Sequence, residues 1–267
     1  MKPIVLYRHD RIDSDQKTEI QAIKKYFDLT HFRTPCCMAK SLIIGRYSVL
    51  PCYSDLEDEL LFYESRLINT RAAHDWIANF DYYYDLADYT FPSWNSIAET
   101  RYEGPFVLKG RTNSRKYQWD THMYAQTRAD AIRIAGELNN DSLIGKQGII
   151  YRKYIPLKTY EIGINGMRFC NEHRFFFYKE TMLSHGYYWS LADNPDLGFC
   201  SQKMIDFAAE VAKISAENVD FFVLDIAEKE DGEMILVEVN DAQMSGLSMN
   251  NPEELWSNMH ACLQNEV

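Results

Sequence analysis

DFFVLDIAEKEDGEMILVEVNDAQMSGL, residues 220–247, holds two runs rich in aromatic and β-branched residues, Phe221–Ile226 and Met234–Val239, on either side of Asp231-Gly232. Such runs favour strands, and Asp-Gly suits a two-residue hairpin turn. With the turn there, Asp225 lies directly opposite Glu238. Asn240, two steps on, shares the face of Glu238, because strand side chains alternate with period two. Like charges opposed on a sheet are unfavourable, and a hard cation between them reverses the sign. Asp, Glu and Asn oxygens are the ligands Mg²⁺ prefers, so Asp225, Glu238 and Asn240 form a candidate metal set. The alternative is a solvent-facing hairpin with ordinary surface acids. Against it, Asp225 sits inside an apolar run. A longer loop over Glu228–Gly232 would shift the register and spoil the pairing.

Outward from this hairpin, 267 residues with 46% hydrophobic content are enough for one large or two small domains with a sizeable core. The net charge of −11 argues against a nucleic-acid or anionic-membrane binder. The start MKPIVLYRHD reaches Arg8, His9 and Asp10 too soon for a signal peptide, and no run approaches the ~20 apolar residues of a membrane span. Six cysteines without a CxxC pair (positions 36, 37, 52, 170, 200 and 262) suggest reduced thiols in a cytosol.

Along the chain, Lys2–Tyr7 reads as a strand and Asp13–Phe27 as a helix capped by Asp13 or Ser14. Ser41–Leu50 is a strand candidate stopped by Pro51. Helices are expected over Asp55–Arg66 and from Asn69-Thr70 onward. A boundary falls near Thr90–Glu99. Pro105–Lys109 is a strand, and its terminal Lys109 is either a solvated edge charge or a phosphate ligand. The following loop, GRTNSRK at 110–116, combines a glycine, hydroxyl and amide residues and three cations. Backbone N–H groups and basic side chains together make an anion cradle, although the loop fits no Walker pattern and also reads as a mobile surface loop. Thr127–Asn140 is expected as a helix with Ala131, Ile132, Ala135 and Leu138 inward. Strands are expected at Gln147–Ile155, Glu161–Gly166 and Glu172–Tyr178. Glu172, Arg174 and Phe176 share one face of the last of these, and His173, Phe175 and Phe177 the other. A Ser201-capped helix and a final helix with Asn251 as cap and Pro252 in the first turn complete the reading.

This order of parts resembles the ATP-grasp superfamily, in particular its small bacterial and phage members, over about residues 60–250. The motifs are the strand ending in Lys109 with its basic loop, the YRKYI strand, the E-x-R of Glu172–Arg174, and Asp225 with Glu238-Val239-Asn240. The resemblance implies an α/β fold of α+β lobes closing on ATP (residues 96–267), behind an N-terminal α/β region (1–95). It implies that Lys109 binds ATP phosphates, with Arg111 of the loop and Arg71 as further cations. Arg152, Lys153, Tyr154 and Ile155 would form the hinge that meets adenine, and Asp225, Glu238 and Asn240 would hold Mg²⁺. Lys109, Glu172 and Arg174 are the catalytic candidates. Many relatives place an arginine shortly after the final Asn; here the text is DAQMSG, so Gln243 or Ser245 is expected to take over substrate contact.

The implied activity is ligation of a small-molecule or peptide carboxylate to an amine through an acyl phosphate, with ATP and Mg²⁺ as cofactors. The alternatives are phosphoryl transfer to a hydroxyl and a nucleotide-binding module without turnover. His173 and His185 are candidates for a general base, and a structural role is the alternative for each.

Overall fold

The computed structural model describes residues 2–7, 14–31, 38–46, 53–190 and 198–265. Its N-terminal part is a parallel sheet in the order β2-β1-β3-β4, with β1 Lys2–Tyr7, β2 Asp28–His31, β3 Ser41–Arg46 and β4 Arg66–Ile68. All six residues of β3 are buried, as expected for a parallel strand covered on both faces. Helix α1, Ser14–Tyr26, covers one face through Ile20 and Ile23. Helix α2, Tyr53–Phe62, covers the other through Tyr53, Leu56 and Leu60. The expected strand at Ser41–Leu50 is seen as far as Arg46. Residues 47–50 and the proposed cap Asp13 lie outside the described residues. Helix α3, Arg71–Ala78, is capped by Thr70, whose hydroxyl accepts from the Ala73 N–H, and the short α4, Tyr82–Asp85, follows.

A second, antiparallel sheet has the order β5-β8-β6-β7, from β5 Ser93–Trp94, β6 Phe106–Gly110, β7 Tyr124–Ala125 and β8 Ile149–Lys153. Helix α5, Arg128–Asn139, packs on it with a capping box between Thr127 and Asp130. Its buried stripe is Ala131, Ile134, Ala135 and Leu138, the i, i+3, i+4, i+7 spacing. Ile132, expected inward, is 55% exposed, because it falls off that stripe and Ile134 takes its place.

The third part begins with a hairpin, β9 Thr159–Ile162 and β10 Arg168–Cys170, where one strand over Glu161–Gly166 was expected. The central sheet follows in the order β12-β11-β13-β14, from β11 Glu172–Tyr178, β12 Thr181–Tyr187, β13 Phe221–Glu228 and β14 Met234–Asp241. One face buries Phe175, Phe177, Phe222 and Leu224 against α6, Gln202–Ser215. The other buries Phe176, Phe221 and Val223 together with α1, α7 (Pro252–Gln264) and the N-terminal sheet. The first ninety residues therefore share a core with the central sheet.

The β13–β14 hairpin resolves the question of register. Lys229 donates to Glu233 (2.8 Å) and Gly232 to Lys229 (3.0 Å), so the loop is the three residues Glu230–Gly232. Gly232 adopts φ +82°, the left-handed residue such loops need. This moves the pairing by one: Ala227 faces Ile235 and Ile226 faces Leu236. The register then shifts back between Asp225 and Ile226, leaving Val237 as the extra residue of a β-bulge. Beyond it Asp225 faces Glu238, the pair read from the sequence. The bulge also frees the Val237 carbonyl, which accepts from an Arg152 Nη at 2.6 Å.

Candidate active site

Two cavities meet between the second sheet and the central sheet. The larger, about 920 Å³, is reached by Arg174 from β11, Glu238 and Asn240 from β14, the 111–117 loop and α3. The smaller, about 110 Å³, is lined mainly by apolar side chains, among them Val107, Ile155, Met167 and Val237. Lys116, Ser114 and Glu238 belong to both walls. Together the walls carry seven cations (Lys109, Arg111, Lys116, Lys146, Arg152, Arg168 and Arg174) against three carboxylates (Glu172, Glu238 and Asp241). In a chain of net charge −11, this local excess fits an anionic ligand.

The charges interlock across strands. Arg174 and Asp225 are cross-strand partners, and two guanidinium N–H groups donate to the two Asp225 oxygens, each at 2.8 Å. Asn240 donates to Asp225 at 3.0 Å. Asp225 is fully buried beneath Arg174. Lys109, at the end of β6, is buried and hydrogen-bonded to Glu238. Burial lowers the Lys109 pKa, opposed by Glu238. Burial alone would raise Glu238, but Lys109, Lys116 and Arg152 outweigh it and hold the carboxyl far below the usual range. Glu172, also buried, is pushed up to about 7, chiefly by desolvation, and its Oε1 has no hydrogen-bond partner. Buried polar atoms normally have one. Arg111 Nε and one Nη of Arg152 are likewise buried and unpartnered, so the walls are polar and incomplete where a ligand would sit.

The sequence-predicted residues separate clearly in space. Lys109, Arg111, Arg152, Tyr154, Ile155, Glu172, Arg174, Glu238 and Asn240 line the two cavities. Lys153 ends β8 and lines neither cavity; its backbone N–H donates to the Pro92 carbonyl and its ammonium lies over the Tyr102 ring. Arg71 is not brought to the cavity: it is exposed on α3, bound to Asp75 and Ser54. Gln243 is fully buried, its amide donating to Tyr53 and Asp241. Of the loop cations, Arg115 pairs with Asp141 and Lys116 donates to the Tyr188 hydroxyl at 2.6 Å. Both cations therefore already have partners. His173 and His185 are absent from both cavity walls. His173 faces the side opposite Glu172 and Arg174, and burial pushes its pKa down to about 4.

Several contributors were not read from the sequence. Arg46 on β3 is fully buried, pairs with Glu19 (2.7 Å) and donates to the Ala242 and Ser245 carbonyls, each at 2.7 Å. It clamps the segment that follows β14. His74 lines the larger cavity, and its Nδ1 lies 2.8 Å from Asp241. Asn69 bridges Asp241 and the start of β13. Asn69 and Asp241 lie 172 positions apart, and local pattern carries no signal of such pairings.

The chemistry of the donor set fits Mg²⁺: two carboxylates and an amide oxygen are hard ligands, and the charges on Asp225 and Glu238 are at present balanced by Arg174 and Lys109. An α+β cleft with an apolar pocket, a cation-rich wall and an acid pair has the chemistry a nucleotide calls for. The chain belongs to the ATP-grasp proteins: the family ATP-grasp domain, R2K clade family 3, matches residues 95–259. No curated protein matches. Solved structures share the fold at low identity. D-cycloserine synthetase DcsG is 15% identical with a TM-score of 0.62, over 98% of this chain and 99% of that one. The ATP-grasp ligase PsnB complexed with minimal precursor, Mg and ADP is 11% identical with a TM-score of 0.56, over 98% of each. The macrocyclase MdnC from Microcystis aeruginosa, bound with precursor peptide MdnA, is 13% identical with a TM-score of 0.55, over 100% of each. Among the described residues, no helix is long and apolar enough to cross a membrane.

Proposed function

We propose that the chain is an ATP- and Mg²⁺-dependent ligase that joins a carboxylate to an amine through an acyl phosphate and releases ADP. One observation carries this reading. The smaller, mainly apolar cavity shares Ser114, Lys116 and Glu238 with a neighbouring cavity of about 920 Å³, leaving room for acceptor and donor beyond the phosphate end of a nucleotide. In this reading residues 1–95 are a preceding α/β region and 96–267 the catalytic lobes.

The base occupies the smaller cavity against Val107, Tyr154, Ile155 and Met167. Lys109, Arg111, Lys116 and Arg152 hold the phosphates, and Asp225, Glu238 and Asn240 hold Mg²⁺. The bound metal supplies charge neutralisation at the transferring phosphoryl group. Arg174 faces the carboxylate donor, whose oxygen takes the γ-phosphoryl group as ADP leaves. The amine nitrogen then attacks the acyl carbon, the bond to phosphate breaks, and the nitrogen gives up a proton. His74 is placed to accept it: Asp241 holds Nδ1, which fixes the tautomer and leaves Nε2 as the acceptor. The protein's contribution is positioning and electrostatics. The missing arginine after Asn240 is offset by Arg111 and Arg174 on the same wall. Because MdnC was solved with precursor peptide MdnA and PsnB with precursor peptide PsnA2, peptides lead the candidate substrates.

The test is a screen of carboxylate and amine pairs, peptides included, for ADP release with Mg·ATP. ADP release that requires both partners and yields an amide bears the reading out. Amine-independent release with a phosphorylated hydroxyl as product replaces it with a phosphotransferase. Tight Mg·ATP binding with no ADP under the whole screen replaces it with a binding module.

A further inference from the structure

On the far side of the central sheet from the nucleotide cavities lie three side chains for which the ligase reading has no use. His173 on β11 and His185 on β12 occupy the same face: Phe175 pairs with His185 and His173 with Tyr187, so the two imidazoles are diagonal neighbours, ring centroids 6.4 Å apart. Cys200 sits immediately before Ser201, the cap of α6, at the edge of the core that α6 makes with this face. One ligand atom from each of the three lies within 4.8 Å of the others. Cys200 is a free thiol.

The imidazoles are unsatisfied. His173 is only 4% exposed, and neither of its nitrogens has a hydrogen-bond partner; nor has Nδ1 of His185. Buried histidine nitrogens ordinarily bond to a carbonyl, carboxylate or hydroxyl, and none of these three makes such a bond here: His185 stacks on Phe175, and His173 lies against the rings of Tyr187 and Phe175. His185 and Cys200 are only half-buried, which leaves an approach from solvent.

We propose that His173, His185 and Cys200 bind a borderline d-block cation, Zn²⁺ by preference, in a site separate from the Mg²⁺ ligands. Two imidazoles and a thiolate are the mixed nitrogen–sulfur set that Zn²⁺ takes and that Mg²⁺ does not. With Zn–N near 2.0–2.1 Å and Zn–S near 2.3 Å, a tetrahedral site needs donor atoms roughly 3.3–3.6 Å apart. Small side-chain rotations close the present cluster to that distance. Binding forms two M–N bonds and one M–S bond, and the thiol proton leaves to solvent. A water completes the four. The ion pins the β11–β12 pair to the start of α6 behind Glu172 and Arg174, stiffening the strand that presents them to the nucleotide side.

The experiment uses the full chain, stripped with a chelator and titrated with Co²⁺ in excess Mg²⁺, which keeps the oxygen site filled. The expected result is one Co²⁺ per chain, with an intense near-ultraviolet sulfur-to-metal band and tetrahedral visible absorption, both removed by stoichiometric Zn²⁺. Cys200→Ala and His185→Gln change half-buried positions. Both are expected to keep the metal-free circular dichroism and melting temperature of the wild type. Cys200→Ala should lose the sulfur band, and each variant should weaken Co²⁺ uptake at least a hundredfold. The proposal is overturned if folded wild-type protein takes up no Co²⁺, shows only weak octahedral absorption, or shows a sulfur band that survives Cys200→Ala.

Discussion

Asp225 and Arg174 face each other on adjacent strands and share two 2.8 Å hydrogen bonds, the carboxylate fully buried and the guanidinium nearly so. A buried pair of this kind adds little net stability, yet breaking it by removing one partner typically costs ~3–5 kcal/mol. Asp225→Asn therefore does more than weaken Mg²⁺ binding, the effect read from the sequence: it also leaves Arg174 charged and unpaired. We expect its melting temperature to fall by on the order of 10 °C. The double variant Arg174→Met/Asp225→Leu should recover most of that loss and still lack Mg²⁺-dependent nucleotide binding. A thermal melt of the three proteins checks this, and a single variant as stable as wild type contradicts it.

Glu238→Gln tests the metal set without unpairing Arg174; it leaves Lys109 without its carboxylate partner, so the readout is Mg·ATP affinity and not stability. Its expected signature is a loss of tenfold or more in Mg·ATP affinity by calorimetry, with the fold retained. Affinity unchanged at saturating Mg²⁺ would remove Glu238 from the metal set.

The Glu172 carboxyl sets a pH dependence. Buried, it keeps its proton up to about 7, whereas in the unfolded chain it loses it near ~4.3. Between those values the folded state holds more protons. This contribution to stability is fully present below ~4.3 and is lost as pH rises through 7. His173 acts the other way: its pKa is depressed to about 4 against ~6.5 unfolded, so its contribution is present above ~6.5 and lost as pH falls through 4. The difference in urea midpoint between wild type and Glu172→Gln isolates the first term. We expect the variant to gain relative stability steadily from pH 5 to pH 7.5. A difference that stays flat over this range means that Glu172 is ionised throughout.

What was legible in the sequence was whatever local chemistry dictates. The α6 and α7 caps, the E-x-R strand and the Asp225–Glu238 pairing all follow from alternation, capping residues and like-charge opposition. The pairing survived an error in the loop, since the extra loop residue is compensated by the bulge at Val237. The misses have a common cause in distance along the chain. β12 reads TMLSHGY, with no clean alternation, and its strand character comes from pairing with β11. Arg46 and Glu19 meet only because α1 crosses β3, and the His74–Asp241 contact spans 167 positions. The His173–His185–Cys200 cluster has no CxxC-like spacing, so counting cysteines does not find it.

The 110–116 loop divides its cations. Arg115 is tied to Asp141 at the foot of α5, while Arg111 and Lys116 line the cavity. Arg115–Asp141 is a partly exposed pair, worth ~0–1 kcal/mol, so Arg115→Ala should leave Mg·ATP affinity within about twofold. Arg111→Ala removes an unpartnered cation from the wall, and a charge-assisted hydrogen bond to phosphate is worth ~1.5–3 kcal/mol, or roughly ten- to hundredfold. Equal affinities for the two variants would take Arg111 out of the phosphate site.

Lys109→Met is the sharpest test of the nucleotide alignment. On either sequence reading, a solvated edge charge or a phosphate ligand at a strand end, removing Lys109 would leave the nucleotide-free melting temperature unchanged. In the structure it is 6% exposed and bonded to Glu238, so the variant strands a buried carboxylate and should melt lower without nucleotide. Adding Glu238→Gln removes that stranded charge and should restore the nucleotide-free melting temperature, which separates packing from function. Neither protein should regain the upward shift that Mg·ATP gives the wild type, because that shift measures ligand binding to the folded state and the phosphate-facing charge is gone from both. Lys109→Arg keeps the charge in a bulkier head and should retain part of the shift. A thermal-shift titration of the four proteins decides the matter: a full Mg·ATP shift in Lys109→Met means that β6 does not end at a phosphate.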